Sequence, residues 1–416
     1  MDRFFHSVTL DKEKCKGCTN CIKRCPTEAI RVRNGKAVIT PERCIDCSVC
    51  IRVCPYHAKK AKSDPMDIIK AYKYKIALPA PALYGQFNNL DIIDIVLTGL
   101  KRVGFDEVFE VSRGAEMVSD ATRRLMAQGT LLKPVISSAC PAIVRLIRVR
   151  FPDLCAHVLP LRAPMETAAR LARKEAMEKT GLPSEDIGIF FITPCAAKVT
   201  DIKVPIGIET SSVDGAIAIS EIYPQLVGCM NKVEEPEAIS NSGIIGVSWA
   251  GIGGEAAALL NEKHLAADGI ENVIKVLEDL EDERLSELDF IELNACPGGC
   301  VGGVFTVENP YVAQARIQRL RKYLPVSCNH LPGKQVPEEM KWTGELEFAP
   351  VLNLADNIEE AMKRMSMVED IVLGEAKESD CIFKMREKIQ RIADQLIEME
   401  GYLPKNREPD GEENEP

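Results

Sequence analysis

From about residue 71 onward, apolar and β-branched runs alternate with stretches of helical periodicity. The runs fall at 76–83, 108–112, 135–138, 187–193, 216–220, 244–249 and 290–293. Between them, 115–128 and 166–179 repeat apolar positions every three or four residues, the spacing that puts them on one face of a helix. Short strands separated by helices predict an α/β fold built on parallel sheet covered on both faces. The first 65 residues read differently. There, 30–39 alternates around Asn34-Gly35, which predicts a short hairpin with a tight turn. The Glu- and Pro-bearing stretch 231–242 reads as a surface loop. Residues 356–402 carry helical periodicity with many i,i+4 charge pairs, which predicts a packing helix with one wet face. Residues 403–416 are acidic and Pro-containing, the composition of a disordered tail. The expected organisation is a small α+β domain at 1–65, a larger α/β domain at 66–355, the helical segment and the tail.

Composition narrows the chemistry. Of the 416 residues, 46% are hydrophobic and 27% charged, enough apolar area for a sizeable core. Lys and Arg number 52 against 62 Asp and Glu, and a net charge of −10 argues against a nucleic-acid surface. No uncharged apolar run reaches membrane length. The nearest, 243–260, carries Glu255 and several Gly and reads as strand, loop and buried helix. The N-terminus has neither an apolar core nor a small-residue cleavage site, so a cytoplasmic location is expected. Sixteen Cys stand against five His. In a reducing compartment, clustered thiols read as metal ligands rather than disulfides.

Eight of these thiols form two copies of one pattern: Cys15-x2-Cys18-x2-Cys21-x3-Cys25-Pro26 and Cys44-x2-Cys47-x2-Cys50-x3-Cys54-Pro55. Three thiolates at this spacing wrap one face of a cubane, while the fourth, fixed by its Pro, reaches the cluster of the other copy. One 4Fe–4S cluster is therefore assigned to Cys15, Cys18, Cys21 and Cys54, and a second to Cys44, Cys47, Cys50 and Cys25. Zinc would be satisfied without the swapped fourth ligand or the Cys-Pro step.

Three predicted strands end on further cysteines: Ser137-Ser138-Ala139-Cys140-Pro141, Thr193-Pro194-Cys195-Ala196-Ala197-Lys198 and Asn294-Ala295-Cys296-Pro297-Gly298-Gly299-Cys300-Val301-Gly302-Gly303. Ligands of open parallel sheets collect beyond the carboxyl ends of the strands, so the three motifs are expected to converge. Cys140, Cys195, Cys296 and Cys300 then complete a third cubane. Gly298, Gly299, Gly302 and Gly303 are expected to bring backbone close and aim N–H groups at its sulfurs.

These motifs resemble those of the iron–iron (FeFe) hydrogenases, which read T-S-C-C-P, M-P-C-x-x-K and E-x-M-A-C-x-x-G-C-x-x-G-G. The likeness runs from about residue 15 to about 395 and includes 290–296 and 374–383. The resemblance implies an H-cluster between two small parallel-sheet lobes: a cubane joined through one Cys to a diiron unit with CO, cyanide and an azadithiolate bridge. Position by position, Cys300 matches the bridging thiolate, and Cys140, Cys195 and Cys296 match the other cubane ligands. Lys198 matches the Lys that pairs with a cyanide, a role suited to a compact charge-assisted donor. Ser138, Thr193, Pro194 and Asn294 fall at positions around the diiron unit. The implied activity is reversible, heterolytic H2 oxidation and proton reduction. Electrons would pass through the cubanes to an external carrier such as ferredoxin.

The chain departs from the family along the proton path. Catalytic members carry a second Cys immediately before Cys140, and this chain has Ala139. A thiol of pKa about 8.5 exchanges protons and a methyl group does not. Loss of a positioned acid/base group costs about 10²–10⁴-fold in rate. Two relay Glu would fall near Ala121 and Thr122, and a relay Ser in 157–165, which holds no Ser or Thr. Family Met positions beside the diiron unit are Thr193 and Asn294. Such a pattern resembles the divergent sensory branch, in which slow turnover suffices and the hydrogen or redox state passes to a separate signalling partner. Two other readings follow from the same residues. One is an efficient catalyst using a different path through Glu116, Asp120, Asp201 or Glu255. The other is an iron–sulfur assembly or electron-transfer protein without a diiron unit, against which Lys198 and the doubled ferredoxin pattern speak. A monomer or homodimer is expected. Cys155, Cys229, Cys328 and Cys381 read as buried, unreactive thiols, Trp249 as core, and His57 as facing solvent, with no His assigned as a ligand. Gly251-Ile252-Gly253-Gly254 lacks the dinucleotide spacing, so direct nicotinamide chemistry is unsupported.

Overall fold

A computed structural model describes residues 5–347, all within one compact unit. The segments at 356–402 and 403–416, Cys381 among them, lie outside the described residues.

The N-terminal part is a pair of two-stranded antiparallel sheets. Strand β1 (Val8–Leu10) pairs with β4 (Lys59–Ala61), and β2 (Ile30–Arg33) pairs with β3 (Lys36–Ile39). The hairpin turns on Asn34 and Gly35, both at positive φ, as a tight two-residue loop demands. Each Cys repeat contributes one short helix, Asn20–Lys23 and Val49–Arg52, entered through a left-handed residue, Thr19 or Ser48. The equivalence of the two halves is thus kept in the backbone.

Two parallel sheets make up the rest. The first has the order β6 (Glu107–Val108), β5 (Tyr74–Pro79), β8 (Ile187–Thr193) and β9 (Gly215–Ala218). The second has the order β10 (His264–Asp268), β11 (Phe290–Asn294) and β7 (Val135–Ile136). Every residue of β8 is buried, which explains its unbroken apolar run: helices cover both faces. Phe190 and Ile192 point into a core with helices Ile93–Val103 and Ile219–Met230. Ile189 and Phe191 point the other way, onto helix Pro164–Thr180. In the second sheet Ile291 and Leu293 pack on helices Pro141–Arg150 and Ile270–Glu281. Helix Val111–Gln128 joins the lobes, with Val111 in the first sheet's core and Val118, Ala121 and Leu125 against the second sheet. It crosses helix Pro164–Thr180 so closely that a Cβ on Gly114 would sit 2.4 Å from the Pro164 carbonyl oxygen.

Three local expectations need correction. The run 244–249 is not a strand but helix Ile244–Ser248, followed by helix Gly254–Ala258. A short buried apolar run carries no period, so it fits either element. Strand β10 shows no apolar run in the sequence because it lies at a sheet edge, half-buried. The run 76–83 divides after Pro79 into β5 and a 3₁₀ turn, Pro81–Gln86, while 108–112 gives a two-residue strand before helix Val111–Gln128 begins.

Candidate metal centres

The eight N-terminal thiols sort into two cavities by the swapped grouping. A cavity of about 350 Å³ is lined by Cys15, Cys18, Cys21 and Cys54, and one of about 340 Å³ by Cys25, Cys44, Cys47 and Cys50. Backbone N–H groups face the sulfurs: Ala37 donates to Cys15 Sγ at 3.3 Å, Ala29 to Cys25 Sγ at 3.2 Å and Ala58 to Cys54 Sγ at 3.3 Å. Burial pushes Cys50 up to about 12 and raises Cys44 and Cys47 well above the ordinary thiol range. At Cys54 burial is the largest single influence and raises the thiol, but the N–H groups of Lys59, Ala58 and Tyr56 together outweigh it and the thiol is lowered. Sulfurs buried this way surrender their protons only to a cation, which iron supplies.

The cavity around Cys44, Cys47, Cys50 and Cys25 is the inner one, because its residues reach the larger domain. Buried Asp46 accepts Ser7 N–H at 3.0 Å, Val8 N–H at 2.9 Å and the Thr200 hydroxyl at 2.7 Å. Thr200 lies on helix Ala196–Lys203, which starts at Cys195. Arg52 Nη2 donates to the Gly302 carbonyl at 2.7 Å. Ile45 and Cys47 share one core with Cys140 and Cys195.

The four strand-end thiols meet between the two sheets. Cys140 caps helix Pro141–Arg150, Cys195 caps helix Ala196–Lys203, Cys296 follows β11 and Cys300 opens a 3₁₀ turn, Cys300–Gly302. All four are free thiols. Burial raises Cys195 well above its ordinary value, reinforced by the charges of Cys296, Cys140 and Cys300, with Lys198 opposing. Burial pushes Cys300 up to about 12, again against Lys198. Beside this group lies a cavity of about 590 Å³ whose wall includes Cys300 but none of the other three thiols. Ala139, Lys198, Glu255, Glu292 and Asn294 also face it. Of the four thiols, this space is reached by Cys300 alone.

Lys198 is 8% exposed, and its Nζ donates to the Ala139 carbonyl at 3.0 Å. Opposite it stand two buried carboxyls. Glu255 accepts the Ser137 hydroxyl at 2.6 Å, and Ser137 Oγ in turn accepts the Ala139 N–H at 3.1 Å. Glu292 accepts N–H groups of Gly253 at 3.0 Å and Ala256 at 2.9 Å, and the Asn294 amide at 3.0 Å. Burial, then the Glu292 charge, raises Glu255 to about 8, and burial raises Glu292 to about 6. The partner that accepts more N–H groups, Glu292, carries the charge first.

The other carboxyls named from the sequence do not reach this cavity. Glu116 is spent on N–H groups of Gly243, Cys328 and Asn329. Asp120 pairs with Arg123 and Arg124, and Asp201 lies 3.9 Å from Arg145 and lines a different cavity. Ala121 packs in the core, and Thr122 returns its hydroxyl to the Val118 carbonyl at 2.8 Å. Within 157–165, Pro164 and Met165 form cavity wall.

Several expected contacts turn out otherwise. The glycine N–H groups do not aim at sulfur: Gly298 donates to Asp268, Gly299 to the Cys296 carbonyl, Gly302 to the Gly299 carbonyl and Gly303 to the Cys300 carbonyl. What the loop requires of Gly303 is close approach, since a Cβ there would lie 2.0 Å from the Pro194 carbonyl oxygen. Thr193 and Ser138 are turned inward as well. Thr193 Oγ1 accepts the Cys195 N–H at 3.1 Å, and Ser138 Oγ donates to the Leu161 carbonyl at 3.0 Å. Pro194 does line the cavity. Trp249 packs against the core beside the second sheet, as expected, and also forms cavity wall, its Nε1 donating to Ser119 Oγ at 3.1 Å. Cys155 and Cys229 are half-buried, Cys328 is exposed where burial was expected, and His57 is exposed as expected. Sequence spacing gave no sign of His6, whose ring lies with Cys44 and Asp46 so that their ligand atoms fall within 4.8 Å of one another. Among the described residues no helix is long and apolar enough to cross a membrane.

Comparison with known proteins agrees with this arrangement. The family described as "Iron only hydrogenase large subunit, C-terminal domain" matches residues 73–254 and 237–304, and a "4Fe-4S dicluster domain" matches 7–55. Iron hydrogenase 1 of Clostridium pasteurianum is 24% identical over 383 residues, covering 73% of this chain and 65% of the relative. The NADP-reducing hydrogenase subunit HndD of Solidesulfovibrio fructosivorans is 25% identical over 258 residues, covering 49% and 44%. The chain thus spans less than two thirds of the length of either relative. Among solved structures, a variant FeFe hydrogenase from Chlamydomonas reinhardtii superposes with a TM-score of 0.53 at 19% identity, covering 70% of this chain and 97% of that one. A second FeFe hydrogenase structure gives 0.51 at 19%, covering 64% and 88%. At that identity the likeness is one of fold. With the family match extending over more than half its length and the dicluster domain ahead of it, this chain belongs to the iron-only hydrogenase family.

Proposed function

We propose that the chain binds two cubanes in its first 65 residues and an H-cluster in the larger domain, and that it reacts reversibly but slowly with hydrogen. The observation that carries this reading is the cavity reached by Cys300 and Lys198 with a methyl group, Ala139, where a thiol would relay protons. When bound, the H-cluster supplies heterolytic cleavage and formation of H2. Cys140, Cys195 and Cys296 would hold its cubane, and Cys300 would bridge to the diiron unit. Lys198 would donate to a cyanide, and its bond to the Ala139 carbonyl fixes the ammonium at the cavity wall. Glu255 is the acid at hand: a buried carboxyl lining the cavity, held by Ser137 and raised towards neutral pH. Through it, protons would reach the cavity more slowly than through a thiol beside the reacting centre. Slow exchange suits a protein that reports hydrogen or redox state to a separate partner.

Electrons would move between the inner and outer cubanes and leave through the outer one. Residues 1–65 hold 14 Lys and Arg against seven Asp and Glu, although the whole chain is acidic. Lys12, Lys14, Lys16 and Lys23 are exposed around the outer thiols. Such a face fits an acidic carrier of the ferredoxin kind. Glu255 also keeps alive the reading of a competent catalyst with its own proton path. Turnover by the matured protein beside an Ala139→Cys variant decides between them. A slow wild type accelerated by the thiol, by up to about 10²–10⁴-fold, supports the sensory reading. A wild type at rates typical of catalytic members, unchanged by the thiol, contradicts it.

A further inference from the structure

The two halves of the N-terminal domain follow one backbone plan after their Cys-Pro steps, and the buried residue that opens the next strand differs in charge between them. After each Cys-Pro step the third residue is a buried Ala, and its N–H donates to the sulfur of that step: Ala29 to Cys25, Ala58 to Cys54. The residue that follows opens a strand in both copies. In the first copy it is Ile30, 3% exposed, which lines the inner cavity. In the second it is Lys59, also 3% exposed, which lines the outer cavity with Cys15, Cys18, Cys21 and Cys54.

Lys59 Nζ is buried, has no hydrogen-bond partner, and forms no ion pair among the described residues. A buried charge left this way is costly, several kcal/mol in a protein interior, and persists only where something anionic faces it. The groups that face it are thiols: its positive charge acts on Cys21, Cys50 and Cys54. A thiolate-ligated cubane is an anion, and it gains a further negative charge on taking up one electron. An adjacent ammonium therefore favours the reduced state. Ile30 places no ammonium in the wall of the inner cavity, which the Lys59 charge reaches only from the side of Cys50.

We propose that Lys59 is a redox-tuning residue that raises the reduction potential of the outer cubane, whose cavity it lines, more than that of the inner one, which its charge reaches at Cys50. The outer cluster then fills before the inner one, so that an electron delivered from the larger domain comes to rest at the surface, beneath the basic face. The inference rests on the reading that the outer thiols hold a cubane. It does not need the diiron unit.

The test is a redox titration of the full chain, reconstituted with iron and sulfide and without a diiron unit. Electron paramagnetic resonance at potentials poised with dithionite and mediators follows each cluster. Lys59→Met removes the charge at similar length, Lys59→Ile installs what the first repeat already accommodates, and Lys59→Arg keeps the charge. In the Met and Ile variants the ratio of reduced to oxidised cluster at a fixed potential should fall at least tenfold for one cluster, ~59 mV for a one-electron couple. The other midpoints should shift by less, and all of them should stay in place in the Arg variant. Loaded Met and Ile variants with unshifted midpoints, or with all midpoints shifted alike, overturn the inference alone. Loss of iron from both would make Lys59 a structural prop and overturn it as well. Absence of these clusters from the reconstituted wild type would overturn the ferredoxin reading beneath it.

Discussion

The hydroxyl of Ser137 lies 2.6 Å from the carboxyl of Glu255 and fixes that group on the wall shared with Ala139 and Cys300. Burial and the neighbouring Glu292 raise Glu255 to about 8. A raised carboxyl is protonated below that pH and delivers a proton; above it the donor is lost. Proton reduction by the matured enzyme should therefore fall as pH rises through about 8, and Glu255→Gln should remove this limb and lower turnover about 10²–10⁴-fold. The same shift bears on stability. A carboxyl whose folded value exceeds its unfolded value of about 4.3 adds stability that is full below that pH and is lost as pH rises towards 8. Thermal melts of the metal-free chain from pH 5 to 8 should show this loss, and Glu255→Gln should flatten it. A pH profile unchanged by the substitution would remove Glu255 from the proton path.

Asp46 and Thr200 join the inner thiol cavity to the helix that begins at Cys195. The bond is to a buried charged group, a class that contributes about 1.5–3 kcal/mol. Thr200→Val should lower unfolding stability by about that amount in denaturant titrations. Thr200→Ser, which keeps the hydroxyl, should recover most of it. Equal losses in both variants would show that the methyl group rather than the hydrogen bond matters.

At Gly303 an added Cβ would stand 2.0 Å from the Pro194 carbonyl oxygen, so backbone must move. Gly303→Ala should destabilise the chain by about 1–3 kcal/mol, the cost of forcing atoms into a filled site. Iron bound by the larger domain should fall while the two N-terminal clusters, seen by paramagnetic resonance, persist. Normal iron content in a fully stable variant would show that the Cys296–Cys300 loop has room to shift.

The basic N-terminal face should show itself in kinetics. Lys16→Glu combined with Lys23→Glu should raise KM for an acidic ferredoxin and weaken its dependence on ionic strength, leaving turnover with a small neutral dye unchanged. A salt dependence identical to wild type would place the carrier elsewhere.

Much of this architecture is legible in the residues because it rests on repetition and on burial. The swapped grouping of Cys25 and Cys54 follows from two copies of one spacing, and the cavities repeat it. Strand β8 reads correctly because both its faces are covered and every residue is apolar or small. Other features depend on contacts between distant positions. Residues 244–248 are helical because they pack beneath helix Val111–Gln128, where a Cβ on Gly246 would lie 2.2 Å from the Ser112 carbonyl oxygen. Glu255 stands out from Glu116 and Asp120 only once the turn at 250–254 lays it beside β11. The N–H groups of Gly298 and its neighbours look free in a Gly-rich string, yet the loop uses them on its own carbonyls and on Asp268. Lys59 passes unnoticed as one of a basic pair until it is set beside Ile30.

The most direct measurement is the infrared spectrum of the full chain after supply of the diiron unit, taken beside Cys300→Ser and Lys198→Met. Sharp metal-bound CO and cyanide bands should appear in the wild type, be absent from the Cys300 variant, and be weak or shifted in the Lys198 variant, with the N-terminal cubanes intact in all three. A wild type that takes up its cubanes yet shows no such bands would contradict the account, because the cavity beside Cys300 would then hold no diiron unit.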